Sequence, residues 1–396
     1  MPMAKTSSGA HLRIGFIPLV DAAALLVAVD KGFAAQEGLD IELVREVSWS
    51  NVRDRLNIGQ FDAAHLLAPV AVASSLGLGH FRAPLIAPVT LGVNGNAISV
   101  TLALHAAIMA EVDGAPHDPA VTARALAKVI AKRKASGAEP LTFGMTFPFS
   151  THNYQLRFWM ASGGIDPDED IRLVVLPPPF MVESIVNGQV DAFCVGAPWN
   201  SVAVDLGVAH ILHFVSEILE RAAEKVLGVR ADWATRNADT VEALVRATAK
   251  AAQFVDQPEN HAEVARLLAA PDRLGVVPEV ILRTLEGRLR VSPDGSMRAS
   301  DSYMMIGRDG AARPDPVQAA WLYAQMVRWG QAPLSDALRE GAIGVFRPDI
   351  FDRAVGMPAM PRTTGPADGV GAFAGPAFDA NDIAGHLAPW HVHRRR

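Results

Sequence analysis

The segment LRIGFIPLVDAAALLVAVDKGFAAQEGLDIELV, residues 12–44, carries the strand–helix–strand pattern that decides the fold. Residues 12–18 form a short apolar run, residues 22–31 have apolar positions at helical spacing before Gly32, and residues 41–44 form a second apolar run. A helix over 51–58 and a strand over 62–66 continue the alternation. This order predicts a parallel sheet covered by helices, with ligands beyond the carboxyl ends of its strands.

The same alternation returns in the middle of the chain. Strands are predicted at 141–145, 171–176 and 190–195, with helices at 153–161 and 181–186. The Ala/Lys/Arg-rich stretch 111–139 reads as an exposed helix of this second unit, and four helices follow residue 239. We therefore predict an α/β protein with lobe I at 11–100 and 228–362 and lobe II at 101–227. The Gly/Ala/Pro-rich residues 363–396 predict a loosely ordered tail.

Composition limits the possible partners. The chain has 396 residues, a formal net charge of -6 and a pI of about 6.1, so its overall field gives no reason to expect nucleic acid or an anionic membrane as a ligand. An anion must therefore be captured by local chemistry. The single cysteine, Cys194, lies in an apolar run and is more simply a core residue than a nucleophile.

The start of the chain, MPMAKTSSGAHLRIGFIPL, shows no secretory signal, and no apolar window is long enough to span a bilayer. If Met1 is the native start, a cytoplasmic location is expected. Phosphate-loop, HExxH and G-x-S-x-G signatures were sought and are missing from the sequence. A binding protein without a cofactor is therefore expected rather than an enzyme.

Several motifs together resemble the nitrate/bicarbonate solute-binding family of ABC transporters. The most specific is FPFSTHNYQLRFWMASGGIDPDEDIRLVVLPPPFMVESIVNGQVDAFCVGAPWN at 147–200. In order along the chain, the matching segments also include SWSNVRDRLNIGQFDAAHLLAP, VNGNAIS, EKVLGVRADW and FRPDIFDRA. The resemblance covers roughly residues 12–354. It implies a type II periplasmic-binding-protein fold, in which two α/β lobes close over a ligand cleft.

The resemblance implies nitrate or nitrite as the ligand and leaves the biological role open. The expected cytoplasmic location favours sensors of the NasS type, which hold an RNA-binding antiterminator inactive until the anion arrives. Ala197 replaces an acidic residue common in transporter members, and loss of a permease contact there would suit a sensor. The alternatives are the substrate-binding component of an ABC transporter for nitrate/nitrite or bicarbonate, and an enzyme built on the same fold.

The resemblance also singles out the charged site residues. Lys225 is the candidate cation, because a buried ammonium needs an anionic partner, whereas a single lysine is more often on the surface. His152 follows a predicted strand and can donate hydrogen bonds from its ring. Ser150 and Thr151 beside it are expected to cap a helix, and simple capping with an uninvolved histidine is the competing interpretation.

Neutral groups complete the predicted site. Trp49 can donate from its indole and stack on a planar anion, although half-buried packing is the common fate of a tryptophan. Ser50 and Asn51 are expected helix caps with backbone N–H groups near the ligand. Asn96 is an amide donor and Gly95 allows close approach of the backbone, whereas an ordinary turn would explain both. We predict no metal, because no acidic residue occupies the positions matched to the family's site.

Overall fold

The computed structural model describes residues 9–79, 81–358 and 369–390, and its regular elements follow the predicted alternation. The strands are β1 (Ala10–Phe16), β2 (Leu39–Arg45), β3 (Ala63–Leu67), β4 (Leu85–Ile86), β5 (Thr90–Asn94), β6 (Asn96–Thr101), β7 (Thr142–Met145), β8 (Arg172–Val175), β9 (Ala192–Gly196), β10 (Ala209–Phe214), β11 (Ala223–Arg230), β12 (Arg288–Arg290), β13 (Met297–Ala299) and β14 (Met304–Met305).

The helices of the first two thirds of the chain are α1 (Ala23–Asp30), α2 (Phe33–Gln36), α3 (Trp49–Asn57), α4 (Ala68–Leu76), α5 (Leu102–Met109), α6 (Pro119–Ala135), α7 (Thr151–Ser162), α8 (Met181–Val186), α9 (Trp199–Asp205) and α10 (Ala231–Arg236). Those of the last third are α11 (Ala238–Val255), α12 (His261–Leu268), α13 (Pro278–Leu285), α14 (Pro316–Arg328), α15 (Asp336–Ile343), α16 (Pro348–Val355) and α17 (Ile383–Leu387).

Two large sheets form the two lobes, and they share one topology. In the first lobe the strand order is β14-β5-β11-β3-β1-β2, with β4 also paired to β11. In the second lobe the order is β10-β6-β9-β7-β8. Each sheet has three parallel strands, β2-β1-β3 or β8-β7-β9, followed by an antiparallel strand, β11 or β6. The two predicted α/β units are therefore present as two sheets of matching order.

The antiparallel strand of each sheet begins where the chain crosses between lobes. The first crossing is at Gly95, between β5 and β6, and the return lies between β10 and β11. An antiparallel strand starts at the edge where its parallel neighbours end, as the pairs Lys225↔Leu67 and Asn96↔Gly196 show. Residues at the start of β6 and β11 therefore lie at the edge where the parallel strands end, which is the edge where ligands are expected in this class of sheet. The predicted lobe boundaries at 100/101 and 227/228 lie a few residues beyond these crossings.

Helix packing buries the apolar stripes that the sequence periodicity predicts. In the first lobe α11 packs against α1, α2 and α16, and its Leu244 and Val245 are completely buried. In the second lobe α6 packs against α7, with Leu126 buried. Its start is set by Pro119 at the first helical position and by Asp118, which accepts from the Ala120 N–H at 2.8 Å. Each buried leucine or valine contributes about 1.5–3 kcal/mol.

Residues 369–390, which fall within the predicted tail, pack on the folded lobes. The Phe373 N–H donates to the Ile218 carbonyl at 2.9 Å, and the Phe373 and Trp390 rings contact Phe158 of α7 edge-on. This segment thus covers the return crossing and part of the second lobe. The remainder of the predicted tail, residues 363–368 and 391–396, lies outside the described residues, as do residues 1–8. No helix in the described ranges is long and apolar enough to span a membrane.

Candidate functional site

Helix starts place two candidate residues at the cleft. Trp49 opens α3 directly after β2, and Ser48 caps this helix by accepting from the Asn51 N–H at 3.2 Å. Ser150 caps α7 in the same way, accepting from the Asn153 N–H at 3.1 Å, so His152 lies in the first turn. The predicted capping by Ser50 and Asn51 is wrong, because the side chain that reaches a free N–H group is that of Ser48, just before the helix.

Lys225 is completely buried, so the surface-lysine interpretation does not apply. Its Nζ lies 2.9 Å from Asp21 Oδ2 and 3.0 Å from Glu224 Oε1. The expectation that an anionic ligand alone would partner the ammonium is therefore wrong. A buried charge is tolerated only when it is paired, and here two carboxylates of the chain supply the pairing.

Glu224 and Lys225 are consecutive, yet both side chains reach the same cluster. Successive residues of a regular strand point to opposite faces of the sheet. The pairing of β11 with β5 is irregular on both sides of Lys225. Irregular pairing, as in a β-bulge, re-aims side chains locally. The irregular pairing accounts for a carboxylate and an ammonium meeting where sequence alternation would separate them.

Asp21 is brought into the cluster by the short turn after β1. Its Oδ1 lies 2.9 Å from His65 Nε2 on β3, and it packs against Gly92 of β5. A Cβ at Gly92 would lie 2.9 Å from the Asp21 Cβ, which is too close. The absence of a side chain at Gly92 therefore makes room for the carboxylate that holds Lys225.

Glu224 also reaches across to the second lobe. Its Oε2 accepts a hydrogen bond from Asn96 Nδ2 at 2.7 Å, and its Oε1 lies 3.2 Å from His152 Nδ1. His152 Nδ1 is also 3.0 Å from the Thr146 hydroxyl. Three of the predicted ligand residues, Asn96, His152 and Lys225, thus meet at a single carboxylate of the chain.

Trp49 forms one wall of the cluster. Lys225 Nζ lies 5.4 Å from the centroid of the indole ring, and the His65 ring packs against the same tryptophan edge-on at 5.3 Å. Trp49 is 1% exposed, so its contact with the ammonium is shielded from water. The structure gives this residue both packing and a position beside the buried cation.

Three buried side-chain nitrogens of the cluster have no hydrogen-bond partner among the described residues: Trp49 Nε1, His152 Nε2 and Gln155 Nε2. The first belongs to the first lobe and the other two to α7 of the second lobe. The Trp49 and Gln155 nitrogens can only donate. Buried donors without acceptors are costly, so these atoms point to a bound acceptor or a bound water.

Charges in the cluster do not cancel at neutral pH. Burial opposes ionisation of Asp21, but Lys225 and His65 outweigh it and lower the pKa of Asp21 to about 2. Burial likewise opposes ionisation of Glu224, but His152 and Lys225 outweigh it and lower the pKa of that carboxyl. The two carboxylates in turn overcome burial and raise the pKa of Lys225.

Burial lowers the pKa of His152 to about 4 and also lowers the pKa of His65. Both imidazoles are therefore neutral at pH 7. The cluster then has two negative charges and one positive charge, a net charge of about -1 before any ligand binds.

The other two predicted ligand residues lie near the cluster without a side-chain contact to it. Ser50 is half-buried in the first turn of α3, and no described contact joins its hydroxyl to the charged groups. Gly95 has φ 89°, and a Cβ there would lie 2.7 Å from Met304 Cε. Glycine at this position therefore allows the backbone conformation and the close packing at the crossing between the lobes. A ligand-binding role for Ser50 or Gly95 stays a prediction.

Ala197 is 1% exposed and lies inside the protein, where its carbonyl accepts from the Val20 N–H at 2.9 Å. A side chain at this position does not reach the outer surface. The missing carboxylate at Ala197 consequently gives no support for the loss of a permease contact, and the sensor interpretation loses that argument.

Sequence reasoning missed Asp21, His65, Gln155 and Glu224. The available signal was a charged or polar residue inside an apolar run, as in LVDAAALL and AAHLL. No acidic residue occupies the positions matched to the family's site, but Asp21 and Glu224 from other positions lie beside Lys225. In the described parts of the chain, no group of three or more His, Cys, Asp or Glu side chains is arranged to hold a metal.

Comparison with known proteins identifies the family. The NMT1-like family matches residues 5–269. The nitrate/nitrite binding protein NrtA of Nostoc sp. is 31% identical over 348 residues, covering 86% of this chain and 76% of that protein. This chain belongs to the NMT1-like family. Its relatives place it in the nitrate/bicarbonate solute-binding family of ABC transporters.

Two further relatives extend the comparison. The nitrate import ATP-binding protein NrtC of Synechocystis sp. is 32% identical over 97% of this chain, which spans only 56% of the length of that relative. The crystal structure of the periplasmic nitrate-binding protein NrtA from Synechocystis PCC 6803 superposes with a TM-score of 0.87 at 28% identity. That superposition covers 97% of this chain and 99% of NrtA. The family members share the periplasmic-binding-protein fold, and the predicted fold class is confirmed.

Proposed function

We propose that this chain is a receptor that binds nitrate or nitrite between its lobes and serves as the substrate-binding component of an ABC import system. One observation carries the proposal: the buried ammonium of Lys225 lies in a cluster whose unpartnered buried nitrogens come from both lobes. A small planar oxyanion would supply acceptor oxygens to the donors among them, Trp49 Nε1 and Gln155 Nε2, and to the ammonium at once. The nitrate/nitrite binding protein NrtA and the nitrate import ATP-binding protein NrtC, as relatives of this chain, support the same ligand and the same kind of partner.

Nitrate and nitrite suit the shape of the cluster as well as its charge. Both ions are flat, and the Trp49 indole offers an apolar face beside Lys225. The cluster side chains are completely or almost completely buried, so the ion enters only when the lobes separate. Binding and lobe closure are therefore linked, and the role is binding rather than catalysis.

The test is calorimetric titration of the purified chain with nitrate, nitrite and bicarbonate. We expect binding of nitrate or nitrite, weakened at least about 100-fold in Lys225→Met because a buried ion pair is lost. Lys128→Met, which alters an exposed lysine of α6, is the control and should bind as the wild type does. A wild-type chain that binds none of the three ions contradicts the proposal.

Bicarbonate is a second candidate ligand, favoured by a specific feature of the cluster. Asn96 Oδ1 is a buried acceptor that has no donor among the described residues. Bicarbonate has an O–H group that can donate to it, whereas nitrate and nitrite do not at neutral pH. Preference for bicarbonate in the same titration, reversed by Asn96→Leu, would favour this ligand.

A regulatory role keeps the same ligand and replaces the permease by a cytoplasmic RNA-binding antiterminator. Ligand and partner would then weaken each other reciprocally, because each binds a different state of the lobes. The test is nitrate titration with and without the purified antiterminator. An equal nitrate affinity in both titrations excludes the sensor role and leaves transport.

A further inference from the structure

Glu224 differs from every other charged group of the cluster because its contacts cross between the lobes. It belongs to β11 of the first lobe, but it contacts Asn96 on β6 and His152 on α7 of the second lobe. The hydrogen-bonding contacts of the Asp21 carboxylate, by contrast, are to Lys225 and His65, both on strands of the first lobe. Asp21 therefore holds the Lys225 ammonium from within the first lobe, whereas Glu224 holds the same ammonium and also contacts the second lobe.

A carboxylate has the same planar O–X–O arrangement and the same charge as nitrite, and it resembles one edge of nitrate. Its two oxygens here engage the ammonium of Lys225 at 3.0 Å, His152 Nδ1 at 3.2 Å and Asn96 Nδ2 at 2.7 Å. Lys225 is the cation that the proposed function assigns to the ligand, and Asn96 and His152 are residues that the sequence predicts to bind it. Glu224, a residue of the chain itself, thus already contacts some of the groups that would bind the ligand.

We infer that the Glu224 carboxylate is an internal substitute for the anion, which bridges the lobes when no ligand is bound and gives up its cross-lobe contacts when the anion binds. The inference rests on the proposed function for the identity of the competing ion. Its bridging part rests on the contacts of Glu224 alone.

Charge explains why both anions do not hold the same groups together. With Asp21 and Glu224 ionised and one ammonium present, a further anion would meet a cluster that is already net negative. Two like charges about 4 Å apart repel each other, and the repulsion is stronger inside the protein than in water because the effective dielectric constant is lower. The anion therefore gains most by replacing Glu224 at His152 and Asn96 while Asp21 continues to hold Lys225.

An internal substitute also sets the affinity of the site. If a ligand must first displace a closed, self-paired state, its apparent affinity is lower than its affinity for an unoccupied site. The apparent affinity is reduced in proportion to the fraction of molecules that are in the binding-competent state. Removal of Glu224 should consequently tighten anion binding, whereas removal of a residue that only buttresses the site would weaken it. The two roles make opposite predictions for the same substitution.

The experiment compares Glu224→Ala with Asp21→Ala, each of which deletes one carboxylate that pairs with Lys225. Small-angle scattering of the ligand-free proteins should show a larger radius of gyration for Glu224→Ala than for the wild type, and no such opening for Asp21→Ala. Nitrate, formate or acetate should restore the compact form of Glu224→Ala. Its affinity for nitrate should be about tenfold higher than that of the wild type.

Glu224→Gln provides a second measurement if the alanine variant does not fold, since the amide keeps the shape and removes the charge; it should also bind nitrate more tightly. Equal compactness of the ligand-free wild type and the Glu224 variants, or weaker nitrate binding in those variants, overturns the inference. Failure of the wild type to bind any anion contradicts the proposed function instead. The scattering comparison of ligand-free proteins still tests the bridge in that case.

Discussion

The two lobes have the same strand order but contribute different chemistry to the cleft. The first lobe supplies the ionised groups: Asp21, Glu224 and Lys225. The second lobe supplies groups that are neutral at pH 7, namely Asn96, His152 and Gln155. A shared topology therefore positions both halves of the site, while the residue types at matching positions give one half charge and the other half hydrogen bonds.

This division has a mechanical consequence. Charge pairing within the first lobe keeps Lys225 in place whether or not the lobes are closed, because Asp21 remains with it. Asn96 and His152 of the second lobe reach Glu224 only when the lobes meet. The contacts between the lobes in this cluster are thus made by neutral groups, while the pairing of Lys225 with Asp21 needs the first lobe alone.

The largest expected effect comes from the charged half. Lys225→Met should lower the free energy of unfolding by about 3–5 kcal/mol, because Asp21 and Glu224 lose their common partner inside the protein. Chemical denaturation measures this change. A loss below about 1 kcal/mol would show that the ammonium does not anchor the first lobe's half of the site.

Acid should act on both halves. The pKa of His152 is about 4 in the folded protein, below its ordinary value of 6.5, and that of His65 is also lowered. Between these pH values the unfolded chain binds more protons than the folded one. Stability is therefore complete above pH 6.5 and is lost as the pH falls towards 4, by at most about 3 kcal/mol for His152.

Melting temperatures measured from pH 7.5 to pH 4 check this dependence. His152→Gln should flatten the decrease, because the neutral amide takes up no proton. An unchanged decrease in this variant would assign the acid sensitivity to other groups, such as His65 of the first lobe.

A smaller effect is expected in the neutral half. Gln155→Met removes the unpartnered Nε2 donor while keeping a side chain of similar length. Stability should change by less than about 1 kcal/mol, whereas nitrate affinity should decrease about tenfold through loss of a buried hydrogen bond. Denaturation and calorimetry on the same sample separate the two quantities. Unchanged affinity would remove Gln155 from the site.

The smallest effect concerns the rim of the cleft. The guanidinium of Arg53 on α3 lies 5.4 Å from the Phe147 ring centroid, just before α7, so it joins the lobes near the surface. Arg53→Met should weaken nitrate binding by less than about fivefold, since such contacts are worth about 0.5–1 kcal/mol when exposed. A greater loss would place part of the closing energy outside the buried cluster.

Sequence patterns predicted the α/β elements well because apolar periodicity reports burial directly. The strand predicted at 62–66 is observed as Ala63–Leu67, and the helix predicted at 181–186 is observed as Met181–Val186. The family resemblance selected Trp49, Asn96, His152 and Lys225, and the structure brings all four into one buried cluster. Their role as ligands stays a prediction.

What sequence reasoning alone reached was the two-unit α/β organisation, the fold class and the four residues just named. Only the tertiary structure decided that Lys225 is paired, with which carboxylates, and from which lobe each partner comes. Asp21 is 204 positions before Lys225 in the chain and reaches it through the adjacency of strands. Glu224 shares its cluster because β11 departs from regular alternation. Adjacency between strands that are distant in the chain produces no periodic pattern in the sequence, and neither does a local irregularity of strand pairing. Sequence periodicity therefore could not predict these contacts.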